Sequence, residues 1–570
     1  MAVTGYTKGL TSYGDAGFSK FHRGAFLKQS GFDKDDIERP IIGILNTYSE
    51  LNPCHRGFRD LVPAVRRGVT QAGGLPFEIP TISLGEPFIY PTTMLYRNLM
   101  AMDVEEMIRA HPLDAVVLMG GCDKTTPALL MGAASAGIPA IFVAAGPMLT
   151  GAYKGERLGG CTDCRRLWGE FRGNRVDEEE IDKIQGNLMP TAGTCMVMGT
   201  ASTMACVVEA LGMMAPGGAS PPAPFADRLR IGTESGRIAV KLAEDNLTPD
   251  KILTPESFEN AIRVLLAIGG STNAVIHLTA MAGRLGIIID PDIFDRLSEE
   301  TPMLVNLKPS GKYYMEDFHH SGGMQVVLQE LKEQLHPDCL TVTGQTLADR
   351  LNQPYRYPEW QDVIMPRHAP LQEKGGIIVL RGNLCEGGAV LKRSAATVSL
   401  MQHRGRAVVF HGLDDLARRI DDPGLDVCED DILVLLNAGP RGAPGMPEAG
   451  YIPIPKKLAA AGVKDMLRIS DARMSGTASG TIVLHIAPEA AVGGTLGLVQ
   501  DGDEIELDAG NRRLELLVDE RTLAKRRHNW TSPIPQLERG YLRLHHEQVE
   551  QANLGCDFSF LRPQMRTTLR

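Results

Sequence analysis

Two textures of apolar spacing divide this chain. In the first, runs of five to seven apolar positions alternate with stretches where apolar residues recur every three or four. Residues 40–46 (Pro-Ile-Ile-Gly-Ile-Leu-Asn), 77–83, 114–119 and 139–145 read as buried strands. Phe58, Leu61, Val62, Val65 and Val69 share one helical face, and Gly73-Gly74 stops that helix. Residues 92–110 and 129–136 read as further helices. This alternation predicts a parallel sheet with helices on both faces. Residues 191–214, rich in small side chains, read as one closely buried helix with Cys195 at its start. Residues 225–244 and 255–268 read as helices, and Gly269-Gly-Ser-Thr-Asn273 opens another.

Residues 300–372 are more polar. Beyond Gln372-Glu-Lys-Gly-Gly376 the second texture begins. Short apolar runs at 377–380, 407–410, 432–437, 466–469, 481–486, 504–507 and 514–518 are separated by Gly and Asp, which predicts a barrel-like β domain. The expected fold class is therefore α/β: an N-terminal parallel-sheet α/β/α domain over residues 1–372 and a C-terminal β-barrel-like domain over residues 373–570. The first forty residues, with Phe18, Phe21 and Phe26, read as an arm that packs on something, and residues 540–553 as a terminal helix.

Composition narrows the function classes. The 570 residues carry a net charge of −10 and no long Lys/Arg block, which argues against nucleic-acid or anionic-membrane partners. No run approaches ~18 apolar residues, so no membrane span is expected. The N-terminus lacks the basic-then-apolar pattern of a secretory signal, and the expected location is cytoplasmic. Ten cysteines in such a chain read as thiols or metal ligands rather than a disulfide framework.

The placement of reactive residues is more telling. Cys54, Glu86 and Cys122-Asp123-Lys124 each fall just beyond the C-terminal end of a predicted strand, where open α/β sheets bind ligands. Soft sulfur and hard oxygen prefer different metals, so neighbouring Cys122 and Asp123 suggest two adjacent inorganic centres. Cys54, Cys122 and Cys195 could bind Zn²⁺ with an open position, or an iron–sulfur cluster with one iron free to act as a Lewis acid. Glu86 and Asp123 suit Mg²⁺. Cys161 and Cys164 form a single C-x-x-C pair, read as two free thiols near the mouth of the site. Ser271 and Thr272 fit an anion-accepting helix start and an ordinary N-cap equally well. Glu448 ends a Gly/Pro-rich turn. Ser475 lies between small residues before a strand and becomes a base only where cations stabilise its alkoxide.

Together, Asn52-Pro-Cys-His55, Gly121-Cys-Asp-Lys-Thr-Thr-Pro127, Gly193-Thr-Cys195, Gly269-Gly-Ser-Thr-Asn273, Arg381-Gly-Asn-Leu384, Pro444-Gly-Met-Pro-Glu448, Ser470-Asp-Ala-Arg-Met-Ser-Gly476 and His485-Ile-Ala-Pro-Glu489 resemble the dihydroxy-acid and sugar-acid dehydratase family, often called IlvD/Edd. The resemblance covers nearly the whole chain. It implies a hydro-lyase with a 2Fe–2S cluster on Cys54, Cys122 and Cys195. It also implies Mg²⁺ held by Glu86, Asp123, Glu448 and a carbamylated Lys124. Ser475 would be the base that removes the C2 proton before the C3 hydroxyl leaves. Ser271, Thr272, Asn273 and Thr477 are the candidate substrate contacts, and a homodimer or homotetramer is implied. Flanking stretches, including Gly199-Thr-Ala-Ser-Thr203 and Asp471-Ala-Arg-Met-Ser-Gly-Thr477, look most similar to the sugar-acid branch, with L-arabinonate or D-xylonate as substrate. The branched-chain dihydroxy-acid dehydratase is the runner-up, and a phosphorylated substrate comes third because no phosphate-binding cluster stands out. The non-enzyme alternative, an iron–sulfur electron carrier or sensor, would need neither Mg²⁺ ligands nor an open iron.

Overall fold

A computed structural model describes residues 5–569 except 12, 174, 536, 565 and 566. Its first layer is a parallel sheet of β1 (Ile41–Asn46), β2 (Leu75–Pro80), β3 (Ala115–Gly120) and β4 (Ala140–Ala144), in the order β2-β1-β3-β4. Every residue of β1, β3 and β4 is buried, as their continuous apolar runs require. Helix α1 (Ala16–Gln29) precedes the sheet, and α2 (Phe58–Gln71), α3 (Thr93–Ala110) and α4 (Thr125–Ala136) connect its strands. The chain runs outward from β1 to β2, then returns past β1 to β3. Right-handed crossovers put α2 on one face and α3 with α4 on the other. The packing agrees: α3 lies against α4, and α2 lies against the later helix Ala226–Asp245.

Beyond the sheet come α5 (Thr162–Arg172), α6 (Glu178–Asn187), α7 (Thr200–Ala210), α8 (Ala226–Asp245), α9 (Pro255–Ala267) and α10 (Asn273–Gly283). The single helix expected over 191–214 is a correction: only Thr200–Ala210 is helical. Gly193 takes φ +132°, and Thr194 bonds backbone-to-backbone with Gly146 and Met148, 2.9 Å each. These groups are satisfied by the neighbouring segment instead of by a helical turn. Cys195 therefore sits in an extended stretch five residues before the helix.

The second sheet has eight strands: β5 (Ile378–Leu380), β6 (Gly388–Leu391), β7 (Gln402–Phe410), β8 (Ile432–Leu435), β9 (Arg468–Ser470), β10 (Ile482–Ala487), β11 (Glu504–Asp508) and β12 (Arg513–Leu516). Their order is β12-β11-β7-β8-β9-β10-β6-β5, parallel from β7 to β10 and antiparallel elsewhere. An Arg381–Arg513 bridge joins the two ends, so the mixed sheet is nearly closed. Alternation serves two cores: Ala407, Val409, Ile432 and Val434 face one cluster, while Val408, Phe410, Leu433 and Leu435 face another. β6 was not foreseen, because four residues beginning on Gly388 carry too little pattern.

The last residues return to the first half of the chain. Cys556 and Phe558 pack with Met94 and Ile276 of the first half, and Thr567–Leu569 pairs with Ile287–Ile289. At the opposite end, the exposed Phe18, Phe21 and Phe26 lie on α1, and the segment before it is pinned through Gly5 and Lys8 to Asp114.

Candidate active site

β1 and β3 are neighbours although β2 separates them in sequence, so their C-terminal ends form the switch point where such sheets open a crevice. The loop after β1 carries Cys54 and His55; the turn after β3 carries Cys122, Asp123 and Lys124. His55 ties the two together. It is fully buried, its Nδ1 lies 2.9 Å from the Thr47 carbonyl, and its Nε2 accepts the Cys122 amide at 3.0 Å. Burial lowers its pKa to about 4, so the ring is neutral. That fixes the tautomer, with Nδ1 donating to Thr47 and Nε2 accepting. The sequence motif contained His55, but only its place beside two cysteine loops shows it as a positioning residue.

Lys124 is wholly buried, and its Nζ lies 3.3 Å from Asp123, 3.3 Å from Glu448 and 3.4 Å from Glu86. These carboxylates come from the turn after β3, the turn ending at Glu448, and the short turn Glu86–Phe88 beyond β2. Burying an unpaired ammonium would cost several kcal/mol, so the three carboxylates are what make this position tolerable. Burial pulls the Lys124 pKa down, but Glu86, Glu448 and Asp123 outweigh it and raise it. Burial would raise Glu448, yet Lys124 and Arg473, with the Asn273 hydrogen bond, hold it at about 2. Arg473 reaches Glu448 at 3.1 Å, and Asn273 Nδ2 donates to it at 2.9 Å.

The thiols gather next to this ring. The Cys122 thiol, then burial, push the Cys54 thiol well up, and Cys161 Sγ lies 3.2 Å from Cys195 Sγ. The bond to Cys161, then burial, push the Cys195 thiol well up, while the same bond brings Cys161 down. With the helix beginning at Thr200, no helix N-terminus acts on the Cys195 thiol. Cys164 has another role: its sulfur accepts the Cys161 amide at 3.2 Å, and it packs with Leu158, Leu167, Ile184 and Leu188.

The serine comes from the other half of the chain. Ala449 pairs with Met474 and Gly450 N donates to Arg473 O at 2.9 Å, so the Glu448 turn and the Ser475 loop run side by side. Ser475 Oγ lies 2.8 Å from Thr477 Oγ1. A Cβ at Gly476 would stand 2.7 Å from both Ser271 Oγ and Thr200 N, so glycine lets this loop press onto the starts of α7 and α10. Ser271 is buried against Thr200, 2.8 Å between hydroxyls, and reaches the site through that contact. Thr272 Oγ1 is buried with no partner among the described residues. A separate cavity of about 820 Å³, lined by Tyr90, Leu95, Pro444 and Tyr541 among others, contains none of the thiols or carboxylates.

Among the described residues, no three Cys, His, Asp or Glu side chains already surround a common metal point. The donor chemistry nevertheless fits two centres. Three carboxylates converge on a position now held by a cation, the Lys124 ammonium, and four thiols lie beside them. Cys122 directly precedes Asp123 on the turn after β3, which puts the two donor sets next to each other.

Residues 39–350 match the family model "Dihydroxy-acid/6-phosphogluconate dehydratase N-terminal", and residues 362–556 match its C-terminal counterpart. The chain belongs to the dihydroxy-acid/6-phosphogluconate dehydratase family. It is 48% identical over 545 residues to an L-arabinonate dehydratase of Rhizobium leguminosarum bv. trifolii, covering 95% of this chain and 94% of that one. It is 45% identical over 539 residues to a 6-deoxy-6-sulfo-D-gluconate dehydratase of Pseudomonas putida, covering 94% and 93%. It is 40% identical over 535 residues to a D-xylonate dehydratase of Caulobacter vibrioides, covering 92% and 89%. No helix among the described residues is long and apolar enough to cross a membrane.

Proposed function

We propose that this dehydratase acts on a sugar acid, with L-arabinonate or D-xylonate first, and releases the 2-keto-3-deoxy acid and water. The observation that carries the reading is the pairing of the Ser475 loop with the Glu448 turn. It sets a hydroxyl beside the turn of Glu448, the carboxylate of the second half that reaches Lys124 of the first half at 3.3 Å. The relatives named for L-arabinonate and D-xylonate support the substrate class. A second reading, a six-carbon acid with a distal anion, is favoured by the relative named for 6-deoxy-6-sulfo-D-gluconate.

In this reading Cys54, Cys122 and Cys195 would hold a 2Fe–2S cluster. Glu86, Asp123, Glu448 and Lys124, as its carbamate, would hold Mg²⁺. When bound, the two groups would supply Lewis acidity toward the substrate oxygens. A free ammonium repels a divalent cation, and carbamylation of Lys124 turns the same position into a carboxylate donor. Ser475 takes the C2 proton, with the Thr477 hydroxyl 2.8 Å away placed to donate to the serine oxygen and steady its alkoxide. The C2–H electron pair forms the C2–C3 double bond as the C3–O bond breaks, the departing hydroxide takes the proton from Ser475 to leave as water, and the enol tautomerises to the ketone. Arg473 and Asn273 keep Glu448 ionised and aimed. A cytoplasmic homodimer or homotetramer completes the proposal.

The test is anaerobic incubation of purified protein with Mg²⁺ and a panel of pentonates, hexonates and branched 2,3-dihydroxy acids. A 2-keto-3-deoxy product from a sugar acid is expected. No keto acid from any member of the panel would overturn the reading.

A further inference from the structure

Behind the Glu448 turn lies a second buried carboxylate. Glu489 stands two residues beyond β10 and is wholly buried. Its oxygens accept the Arg441 amide at 3.0 Å, the Gly442 amide at 2.9 Å and Gln551 Nε2 at 2.7 Å. Gln551 returns the contact, its Oε1 accepting the Glu489 amide at 2.8 Å. A carboxylate taken out of water is costly unless hydrogen bonds replace its hydration, and these donors do so. Successive amides of one turn make a concave anion seat, here filled by the chain's own side chain. Gly439 permits the approach, because a Cβ there would stand 2.5 Å from Glu489 Oε2.

What Glu489 grips is the start of the turn that ends at Glu448. The stretch between is braced throughout. The Ala443 amide bonds to the Gly439 carbonyl at 3.0 Å, and the Met446 amide to the Ala443 carbonyl at 2.8 Å. Pro444 and Pro447 restrict the backbone further. Gly445, at φ +82°, presses on α3, where a Cβ would stand 2.5 Å from the Leu95 nitrogen. Arg473 Nε donates to the Met446 carbonyl at 2.7 Å. A turn this stiff carries a displacement of its first residues through to its last. Asp471, four residues before Ser475, works from the same place. It accepts the Ala438 amide and the Ala490 amide, 2.9 Å each, next to Gly439 and Glu489.

We propose that Glu489 is a positioning residue that sets the place of Glu448 in the carboxylate ring by holding the first amides of its turn. The assignment rests on the reading of Glu448 as a Mg²⁺ ligand. Glu489 acts through the turn alone.

The experiment uses full-length Glu489→Gln beside wild type, both loaded anaerobically with iron and sulfide. Glutamine keeps the size but replaces one accepting oxygen with a donor. Calorimetric titration should show Mg²⁺ bound about 10–100-fold more weakly, as when a group that orients a ligand is lost. The visible absorption should stay unchanged, and saturating Mg²⁺ should restore turnover, which a general loss of packing would not allow. Unchanged Mg²⁺ affinity, or a turnover loss that saturating Mg²⁺ leaves in place, would overturn the assignment. Gln551→Ala decides the matter should Glu489→Gln not fold. It removes one of the three donors and leaves the turn amides in place, so Mg²⁺ should bind about fivefold more weakly, and an equal affinity would overturn the assignment. Absence of Mg²⁺ binding by the wild-type chain would overturn the reading of Glu448 as a ligand. Normal wild-type binding with unchanged affinity in the variants would overturn the role of Glu489 alone.

Discussion

Asn273 donates from Nδ2 to Glu448 Oε1 at 2.9 Å, across 175 positions of sequence. The same nitrogen reaches Thr200 Oγ1 at 3.1 Å, so the first residue of α10 links α7 to a carboxylate of the second half. Asn273→Ala should leave Glu448 free to turn away from the Lys124 position. If Glu448 is a Mg²⁺ ligand, affinity for Mg²⁺ should fall by about 10–100-fold, the usual effect of losing a group that orients a ligand. Calorimetric titration with Mg²⁺ checks this, and an unchanged affinity would remove Asn273 from the positioning role.

Gly476→Ala probes how tightly the serine loop must fit. The added methyl would meet Ser271 Oγ and the Thr200 amide at 2.7 Å, so the loop has to shift. A displacement of about 1 Å near a reacting group costs on the order of 100-fold in rate. kcat should drop by about that factor while the far-UV circular dichroism stays the same. Full activity in the variant would mean that the loop's fit against α7 and α10 is irrelevant to turnover.

Ser475→Ala and Cys122→Ser should fail in different ways. The first removes a proposed general base, worth about 10²–10⁴-fold, and should keep the visible absorption of the loaded protein. The second should bleach that absorption. Substantial turnover in Ser475→Ala would remove Ser475 as the base, and an unchanged spectrum in Cys122→Ser would remove Cys122 as a ligand.

Much of this arrangement was legible before the structure because strands β1 and β3 announce themselves as unbroken apolar runs. Whatever follows such a run in a parallel sheet lands at one edge, which brought out Cys54, Glu86 and Cys122-Asp123-Lys124. Cys195 was legible as a residue but not in its setting. A stretch of small residues does not reveal that Gly193 and Thr194 are captured by the segment at Gly146–Met148 before a helix can form. The surroundings of Cys161 were hidden for a related reason. One C-x-x-C motif says nothing about which of its sulfurs turns inward, and here Cys164 enters an aliphatic cluster while Cys161 meets Cys195. The return of the C-terminal residues to the first half also has no local signature, since it depends on pairs such as Arg284 and Asp557.

Those two residues carry the next prediction. Arg284 Nε lies 2.6 Å from Asp557 Oδ2, and both side chains are wholly buried. Asp557→Ala would leave a guanidinium in the interior with Glu105, at 3.3 Å, as its remaining carboxylate partner among the described residues. Removing one partner of such a pair costs about 3–5 kcal/mol. Urea unfolding should show a loss of that size. A midpoint within experimental error of wild type would mean that the terminal segment contributes nothing to stability.

Acid sensitivity should come partly from the same segment. His545 is buried between Tyr541 and Phe558, with ring centroids 6.3 and 5.9 Å away. Burial, then the charges of His546, Arg97 and Arg441, lower its pKa to about 3 from 6.5. The unfolded chain therefore binds a proton at this position between pH 6.5 and 3, and the folded chain does not. Stability follows the difference in bound protons, so it should be intact above pH 6.5 and fall on acidification, by up to about 1.4 kcal/mol per pH unit from this residue. Each of these causes lowers the pKa, so they share one sign. His545→Phe keeps an aromatic ring between Tyr541 and Phe558 but cannot bind the proton. Urea unfolding of both proteins between pH 7 and 5 should give a shallower decline for the variant, and parallel declines would exclude His545 as a source of the acid sensitivity.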